Sequence, residues 1–169
     1  MPSLEPIRLA PAAADDVHDI WLLRKQLEDW IAGQGIDQWR PGEVPEAVVA
    51  EQVSQGQWHV LRQNATLTAG LRVLWSDPDF WRETTDSIFV HGLMVDRGHA
   101  SAGLGAALLD WAGNLGFSRS ATWLRLDCAA SNPHLCDYYE AQDFKRVETK
   151  ALAGRLFDVV LWQRRTKAL

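Results

Sequence analysis

A stretch of small residues runs directly into an apolar helical pattern in the segment HASAGLGAALLDWA, residues 99–112. Small side chains before a helix let another molecule approach the backbone, and the N–H groups of the first helical turn have no partner within the helix. Such N–H groups attract an anion, for example a pyrophosphate. Gly103 and Gly105 therefore predict a phosphate-binding loop, although a tight turn that only feeds a core helix would use the same glycines.

Two general phosphate-binding motifs fit this loop poorly. The dinucleotide fingerprint G-x-G-x-x-G would use Asp127 as its ribose-binding acid, but Leu108 occupies the third glycine position. Residues 96–102 also separate the preceding strand from the glycines, where that fingerprint needs an immediate turn. A P-loop is excluded because the chain has no Gly-Lys-Ser/Thr. A nicotinamide-binding site therefore stays only as a remote alternative.

Hydrophobic periodicity predicts the elements that position the loop. Helices are expected over 15–33, 45–54, 106–115 and 132–141, and strands over 6–9, 58–61, 67–75, 87–95, 122–127, 144–149 and 156–162. Asn64 marks a hairpin turn between the second and third strands. Hairpins before and after one β-α-β unit indicate an α/β fold with a mixed sheet.

Length and composition restrict the class of protein. A chain of 169 residues, 47% hydrophobic and 23% charged, is expected to form one globular domain over 1–169. The net charge of −5, without a long basic run, argues against nucleic acid as a partner. No apolar segment predicts a membrane span or a signal peptide, so we expect no membrane partner and a cytoplasmic location. Cys128 and Cys136 are expected to be free thiols, without metal-binding spacing.

From Val95 onward, the segment VDRGHASAGLGAALL resembles motif A of the GNAT superfamily, the acyl-CoA-dependent N-acyltransferases. The usual form of that motif is V-x-P-x-Y-R-G-x-G-I-G-x-x-L-L, and the matching positions here are Val95, Gly103, Leu104, Gly105, Leu108 and Leu109. Ala100 stands where arginine or glutamine is usual, and Ser101 replaces a glycine. A pyrophosphate held by backbone N–H groups would tolerate both changes, with weaker binding.

A second resemblance follows in the expected order. The segment NPHLCDYYEAQDF resembles motif B, N-x-x-A-x-x-x-Y-E-x-x-G-F, through Asn132, Tyr139, Glu140 and Phe144, while Asp143 replaces a glycine. The two motifs together implicate residues 88–144. They imply a single-domain GNAT-like α/β fold: a mixed, mostly antiparallel sheet with splayed central parallel strands, flanked by helices.

The resemblance implies that acetyl-CoA is the acyl donor and that its pantetheine arm enters between strands 87–95 and 122–127. Leu93, Met94 and Val95 would contact pantetheine through their backbone, and one N–H would polarise the thioester carbonyl. Asn132 would help to position the donor. The loop expected to hold the pyrophosphate consists of Ala100, Ser101, Ala102, Gly103, Leu104, Gly105 and Ala106.

Acyl transfer to an amine needs a deprotonated nitrogen and a proton for the departing thiolate. The resemblance places Tyr139 near the thioester sulfur, as the acid. His91 lies in the strand expected to pair with pantetheine, on the same face as Leu93 if alternation is regular. Its imidazole suits the role of the base. Structural packing is the alternative for both side chains, and we expect packing for Tyr138, which points about 100° away from Tyr139 on a helix.

In the superfamily fold the acceptor site is formed by the first two helices, their connector and the loop before the fourth strand. Aromatic and carboxylate side chains in these segments suit a cationic amine. The alternative is a solvated acidic loop over packed tryptophans. The candidate acceptor residues are Trp30, Asp37, Trp39, Trp75, Asp79, Trp81 and Glu83.

These observations favour an acetyl-CoA-dependent N-acetyltransferase acting on a primary amine of a small molecule or peptide. A module that binds acyl-CoA without turning it over is the second hypothesis, because Ala100 replaces a polar residue. A nicotinamide-dependent oxidoreductase is the third. A homodimer is a further expectation, because mixed sheets leave strand edges to cover.

Overall fold

One seven-stranded sheet forms the centre of the computed structural model, which describes residues 7–83, 85–100, 102–154 and 157–169. The strands are β1 (Ala10–Pro11), β2 (Trp58–Gln63), β3 (Thr66–Leu74), β4 (Ser87–Val95), β5 (Trp123–Ala129), β6 (Lys145–Lys150) and β7 (Val159–Arg165). The helices are α1 (Val17–Gly33), α2 (Glu46–Ser54), α3 (Leu104–Ser118) and α4 (Pro133–Ala141). Across the sheet the order is β1-β2-β3-β4-β5-β7-β6, and β4 with β5 is the parallel pair. The predicted mixed, mostly antiparallel sheet is confirmed.

The predicted order of helices and strands is also confirmed, and the differences lie at their ends. The opening strand was expected over 6–9, but the structure has it at Ala10–Pro11, where it pairs with His59 and Val60. A proline is tolerated there because an edge strand leaves one row of N–H groups unpaired. α3 begins two residues earlier than expected, since Gly103 adopts a left-handed φ of +72° and caps the helix. β7 lies three residues later than 156–162, and residue 156 itself is outside the described part of the chain.

Helices cover both faces of the sheet. Leu104, Leu108 and Leu109 of α3, with Tyr139 of α4, belong to one core cluster with the inner strands. Residues of α1 and α2 form a second cluster with β2 and with Met94 of β4. The sheet thus buries both faces, which explains why its central strands are almost continuously apolar.

A bulge interrupts β4 at Gly92. Arg72 of β3 pairs with His91, but Gly70 pairs with Met94, so β4 carries one residue more than β3 in this interval. Gly92 has a φ of +57°, and a Cβ at this position would lie 2.9 Å from the Trp58 ring. Only glycine suits such a backbone without strain or a clash.

The bulge overturns one expectation about His91. Regular alternation predicted that His91 and Leu93 share a strand face. Instead, Leu93 packs against the cluster on the α3 side, whereas the His91 ring lies beside Phe80 on the other side. The extra residue shifts the alternation by one position, so the two side chains separate.

The parallel strands β4 and β5 part after a short paired segment. Their register joins residues 87–89 to residues 123–125, yet both strands continue beyond it, to Val95 and Ala129. The predicted splaying of the central strands is therefore present. It leaves the second half of β4 without a partner strand on the β5 side.

Cys128 and Cys136 are free, as predicted, and the structure buries both, with their Sγ atoms 3.7 Å apart. Burial raises the pKa of the Cys128 thiol to about 12, so it stays protonated and unreactive at neutral pH.

Among the described residues, no helix has both the length and the apolar character needed to cross a lipid bilayer.

Candidate active site

A cavity of about 670 Å³ lies where β4 and β5 part. It is bordered by the loop before α3, by α4, and by α1 with the connector that follows it. The predicted site residues that line it are His91, Leu93, Val95, Ala100, Gly103, Gly105, Ala106, Asn132, Tyr139, Trp30 and Trp39. One cavity therefore joins the expected donor and acceptor regions.

The loop before α3 presents its backbone to this cavity. The left-handed Gly103 directs the chain into the helix, and a Cβ at Gly105 would lie 2.6 Å from the hydroxyl oxygen of Tyr138. The Leu104 side chain points into the core, and Ala102 is exposed outside the cavity wall. Ser101 lies outside the described residues. The free N–H groups of the first α3 turn thus meet the cavity at a place without bulky side chains.

Two carboxylates from different segments face the ring nitrogens of His91. Nε2 lies 2.8 Å from Oδ2 of Asp77, a buried residue after β3, and Nδ1 lies 3.6 Å from Oδ1 of Asp127 in β5. An ionised carboxylate only accepts hydrogen bonds, so Nε2 donates to Asp77. In a neutral imidazole this leaves the lone pair on Nδ1. The distance of 3.6 Å is too long for a hydrogen bond to Asp127, so Nδ1 remains available to a ligand.

Tyr139 of α4 also lines the cavity. Its ring packs edge-on against Phe144, and the residue is only 5% exposed. Burial, with smaller contributions from Cys128 and Asp127, raises the pKa of the phenol well above its usual range. Tyr139 therefore stays protonated at neutral pH and can donate a hydrogen bond.

Tyr138 has more contact with the cavity than the expected packing role suggests. It is half-buried, lines the cavity, and approaches Gly105 with its hydroxyl. The charges that act on its phenol are those of Arg164 and Asp110, whereas Asp127 acts on Tyr139. Of the two tyrosines, Tyr139 is thus the one whose pKa is raised by Asp127, the carboxylate that faces His91.

Asn132 lines the cavity, but both ends of its amide already have protein partners. Oδ1 accepts from the N–H of Leu135 and caps α4, and Nδ2 donates to Oε1 of Gln38, 3.0 Å away. Nδ2 carries a second hydrogen, so the expected contact with the donor stays a prediction. Asn132 joins α4 to the connector between α1 and α2.

A buried ion pair fixes that connector to α1. Glu28 is 1% exposed; its Oε1 accepts from Arg24 Nε at 2.7 Å and its Oε2 from the Gly42 N–H at 3.1 Å. Arg24 also contacts Glu43, and its guanidinium stacks on Trp39, 3.6 Å from the ring centre. The connector thus places Trp39 in the cavity wall, as the acceptor prediction required.

The remaining acceptor candidates lie outside the cavity wall. Trp81 is buried against Phe89, beneath Arg125. Trp75 stacks with Arg119 at the surface, and Glu83 accepts from Thr85. Asp37 and Asp79 are exposed without lining the cavity. For these residues, packing or solvation of a loop, the alternative weighed from the sequence, describes the structure better.

A family model described as Acetyltransferase (GNAT) family matches residues 24–144. This range includes the glycine loop, His91 and Tyr139. The chain belongs to the GNAT acetyltransferase family. The membership confirms the resemblance of the two motifs, and it removes the nicotinamide alternative that Gly103, Gly105 and Asp127 had left open.

Individual GNAT proteins resemble this chain over almost its whole length. The uncharacterized N-acetyltransferase YesJ of Bacillus subtilis (strain 168) is 27% identical over 157 residues, which cover 88% of this chain and 87% of YesJ. A GNAT family acetyltransferase from Listeria monocytogenes 4b F2365 superimposes with a TM-score of 0.75 at 22% identity, covering 94% of each chain. Another from Streptococcus agalactiae 2603 gives a TM-score of 0.78 at 15% identity, covering 95% of each. At these identities the two structures show the same fold.

In and beside this cavity lie charged residues that the sequence analysis did not include in the acetyltransferase site, although it named Asp127 for the nicotinamide alternative. Asp77 and Asp127 contact His91, and three arginines line the wall: Arg24, Arg72 and Arg97. Asp127 lies near the carboxyl end of the parallel strand β5, and ligand-binding groups of α/β sheets are usually found at such ends. Its position in the sequence could therefore have identified it as a site residue. The others depend on cross-strand register and loop packing, which the sequence pattern does not specify.

Proposed function

We propose that the protein is an acetyl-CoA-dependent N-acetyltransferase that acetylates a primary amine. One observation carries the proposal: where β4 and β5 part, a single cavity contains the first turn of α3, His91 and Tyr139. The first of these suits a phosphate group, and the other two suit proton transfer during acyl transfer. We expect an acceptor from among small molecules or peptides.

The chain's features suit acetyl-CoA as the donor substrate. Gly103 and Gly105 keep the start of α3 open, where backbone N–H groups would hold the pyrophosphate. Residues 93–95 of β4 lie beyond the segment that pairs with β5, so the β5-facing side of their backbone is available to the pantetheine arm, while Met94 and Val95 pair with β3 on the other side. One of these N–H groups would polarise the thioester carbonyl.

Acetyl-CoA would supply the acetyl group as a thioester. A bond forms between the acceptor nitrogen and the acetyl carbonyl carbon, and the bond between that carbon and the CoA sulfur breaks. The acceptor nitrogen loses a proton, and the CoA sulfur gains one. His91 would receive the amine proton at Nδ1, while Asp77 holds the ring through Nε2. Asp127, 3.6 Å from Nδ1, would stabilise the resulting imidazolium. Tyr139 would donate its hydroxyl hydrogen towards the sulfur.

Calorimetric titration with acetyl-CoA tests the proposal, with CoA and NADH as parallel ligands. We expect saturable binding of acetyl-CoA, followed by thiol release when a suitable amine is added. Absence of acetyl-CoA binding, or binding of NADH in its place, would overturn the proposal. Binding without thiol release across a panel of amines would favour the non-catalytic acyl-CoA-binding module.

Arg97 is expected to replace part of the charge that the loop lacks at Ala100. Its guanidinium lies 3.8 Å from the ring centre of Trp30, and both residues line the cavity. Arg97→Gln should weaken acetyl-CoA binding about tenfold, the effect of one charge-assisted contact. Calorimetry measures this, with S-acetylpantetheine as the matched ligand because it lacks the pyrophosphate. Equal weakening for both ligands would contradict a role in phosphate binding.

Tyr139→Phe is expected to lower kcat about tenfold and to leave acetyl-CoA affinity unchanged, because one hydrogen-bond donor is lost. Burial raises the pKa of this phenol, so wild-type activity should show no alkaline decline from its ionisation near neutral pH. Steady-state rates over a pH series measure both effects. Tyr138→Phe serves as the control. A larger loss in that variant would show that the acid had been assigned to the wrong tyrosine.

A further inference from the structure

Arg72 is a cation of the cavity wall that forms no ion pair with any of the described residues. It lies in β3 directly opposite His91, and opposite residues of an antiparallel pair project from the same face. Its Nε is buried and has no hydrogen-bond partner in the described part of the chain. Among the described residues, no carboxylate oxygen lies within 4.0 Å of its guanidinium nitrogens.

The neighbouring charges do not satisfy Arg72. Asp77 attracts it through space, but the oxygen Oδ2 of Asp77 is bound to His91. Arg24 is also near, and its charge is already matched by Glu28 and Glu43. Arg97 stacks on Trp30 near the glycine loop. A partly buried guanidinium without an anionic partner is unfavourable, and a bound anion would remove that penalty.

We propose that Arg72 binds a carboxylate of the acceptor, which would therefore be an amino acid or a similar amine with a nearby acidic group. The inference rests on the proposed function and specifies its substrate class. Cβ atoms of opposite residues in an antiparallel pair lie about 5 Å apart, so an amine at His91 and an anion at Arg72 are separated by few bonds. Asp127 would attract the ammonium end of the same molecule.

The geometry thus predicts recognition of two opposite charges at once. His91 and Asp127 face the amine, and Arg72 faces the carboxylate. Trp58 of β2 pairs with Arg72 on its other side and limits the space around it. A neutral amide in place of the carboxylate would leave the guanidinium buried and unpaired, so discrimination should be strong.

Matched acceptor pairs test this inference. The common L-amino acids and their α-carboxamides are compared as acceptors by thiol release from acetyl-CoA. We expect the best amino acid to exceed its amide at least about tenfold in kcat/KM. Arg72→Gln should bring this ratio close to one, mainly by raising KM for the acid. Arg8→Gln removes an exposed arginine outside the cavity and should leave the ratio unchanged.

An additional variant and additional acceptors show whether a negative result comes from misfolding, from the choice of acceptor or from the inference itself. Arg72→Lys keeps the charge without the planar fork and should retain part of the preference, which also covers a misfolded Arg72→Gln. Dipeptides that begin with aspartate or glutamate distinguish an acidic peptide from a free amino acid. Equal use of acids and amides by the wild type, or an unchanged ratio in Arg72→Gln, overturns the inference. Failure to bind acetyl-CoA instead overturns the proposed function itself.

Discussion

His91→Ala is expected to lower kcat/KM for acetyl transfer on the order of a hundredfold to a thousandfold, the usual contribution of a positioned general base. The expectation rests on Nδ1, whose lone pair is left available because Asp77 occupies Nε2. Acetyl-CoA affinity should remain within about twofold, since the imidazole lies on the other face of β4 from Leu93. Steady-state kinetics and calorimetry measure the two quantities separately.

Three controls make the His91 result specific. His18→Ala removes an exposed histidine paired with Glu46 on the surface, outside this cavity, and should leave the rate unchanged. Added imidazole should restore part of the His91→Ala activity, because the alanine leaves space beside Asp77 and Asp127. Asp77→Asn should also lower kcat, since an amide can donate to Nε2 and so favour the unproductive tautomer. A His91→Ala rate within about twofold of the wild type would refute the base assignment.

The sequence predicted the central strand and the helices because their apolar patterns are long. β4 has the predicted bounds of 87–95, and α1 ends at the predicted Gly33. β1 was placed wrongly, because two residues at a sheet edge produce no periodic signal. The ends of β7 depend on its pairing with β5 and β6. That pairing is a property of the folded sheet.

The candidate site was predictable only where local chemistry marks it. Gly103 and Gly105 stood out because small residues before a helix are unusual, and both line the cavity. Arg72 gave no such signal, because a polar residue between Leu71 and Val73 also fits a solvent-facing strand position. Its role depends on which face of the sheet α1 and α2 cover. The isolated Gly92 within a strand was a usable sign of a bulge, and it would have separated His91 from Leu93.

The acceptor region shows the same limit for tryptophans. Trp39 and Trp81 both occur in polar loops of the sequence, yet Trp39 lines the cavity and Trp81 is buried beside Phe89. The difference comes from Arg24, which holds the Trp39 ring by stacking on it. Arg24 in turn is held by Glu28, a residue of α1. The shape of the acceptor end therefore depends on an ion pair whose i,i+4 spacing is visible in the sequence but whose burial against the connector is not.

Glu28→Ala is accordingly expected to reduce the free energy of unfolding by about 3 to 5 kcal/mol, the usual effect of breaking a buried ion pair. The substitution leaves Arg24 buried with Glu43 at 3.3 Å as its remaining partner, and it removes the acceptor of the Gly42 N–H. Denaturant unfolding measures the change. Asp29→Ala is the matched control, because Asp29 forms an i,i+4 pair with Lys25 on the same helix, with both side chains about half exposed. That variant should lose less than about 1 kcal/mol, and an equally small loss in Glu28→Ala would show that the connector does not depend on this pair.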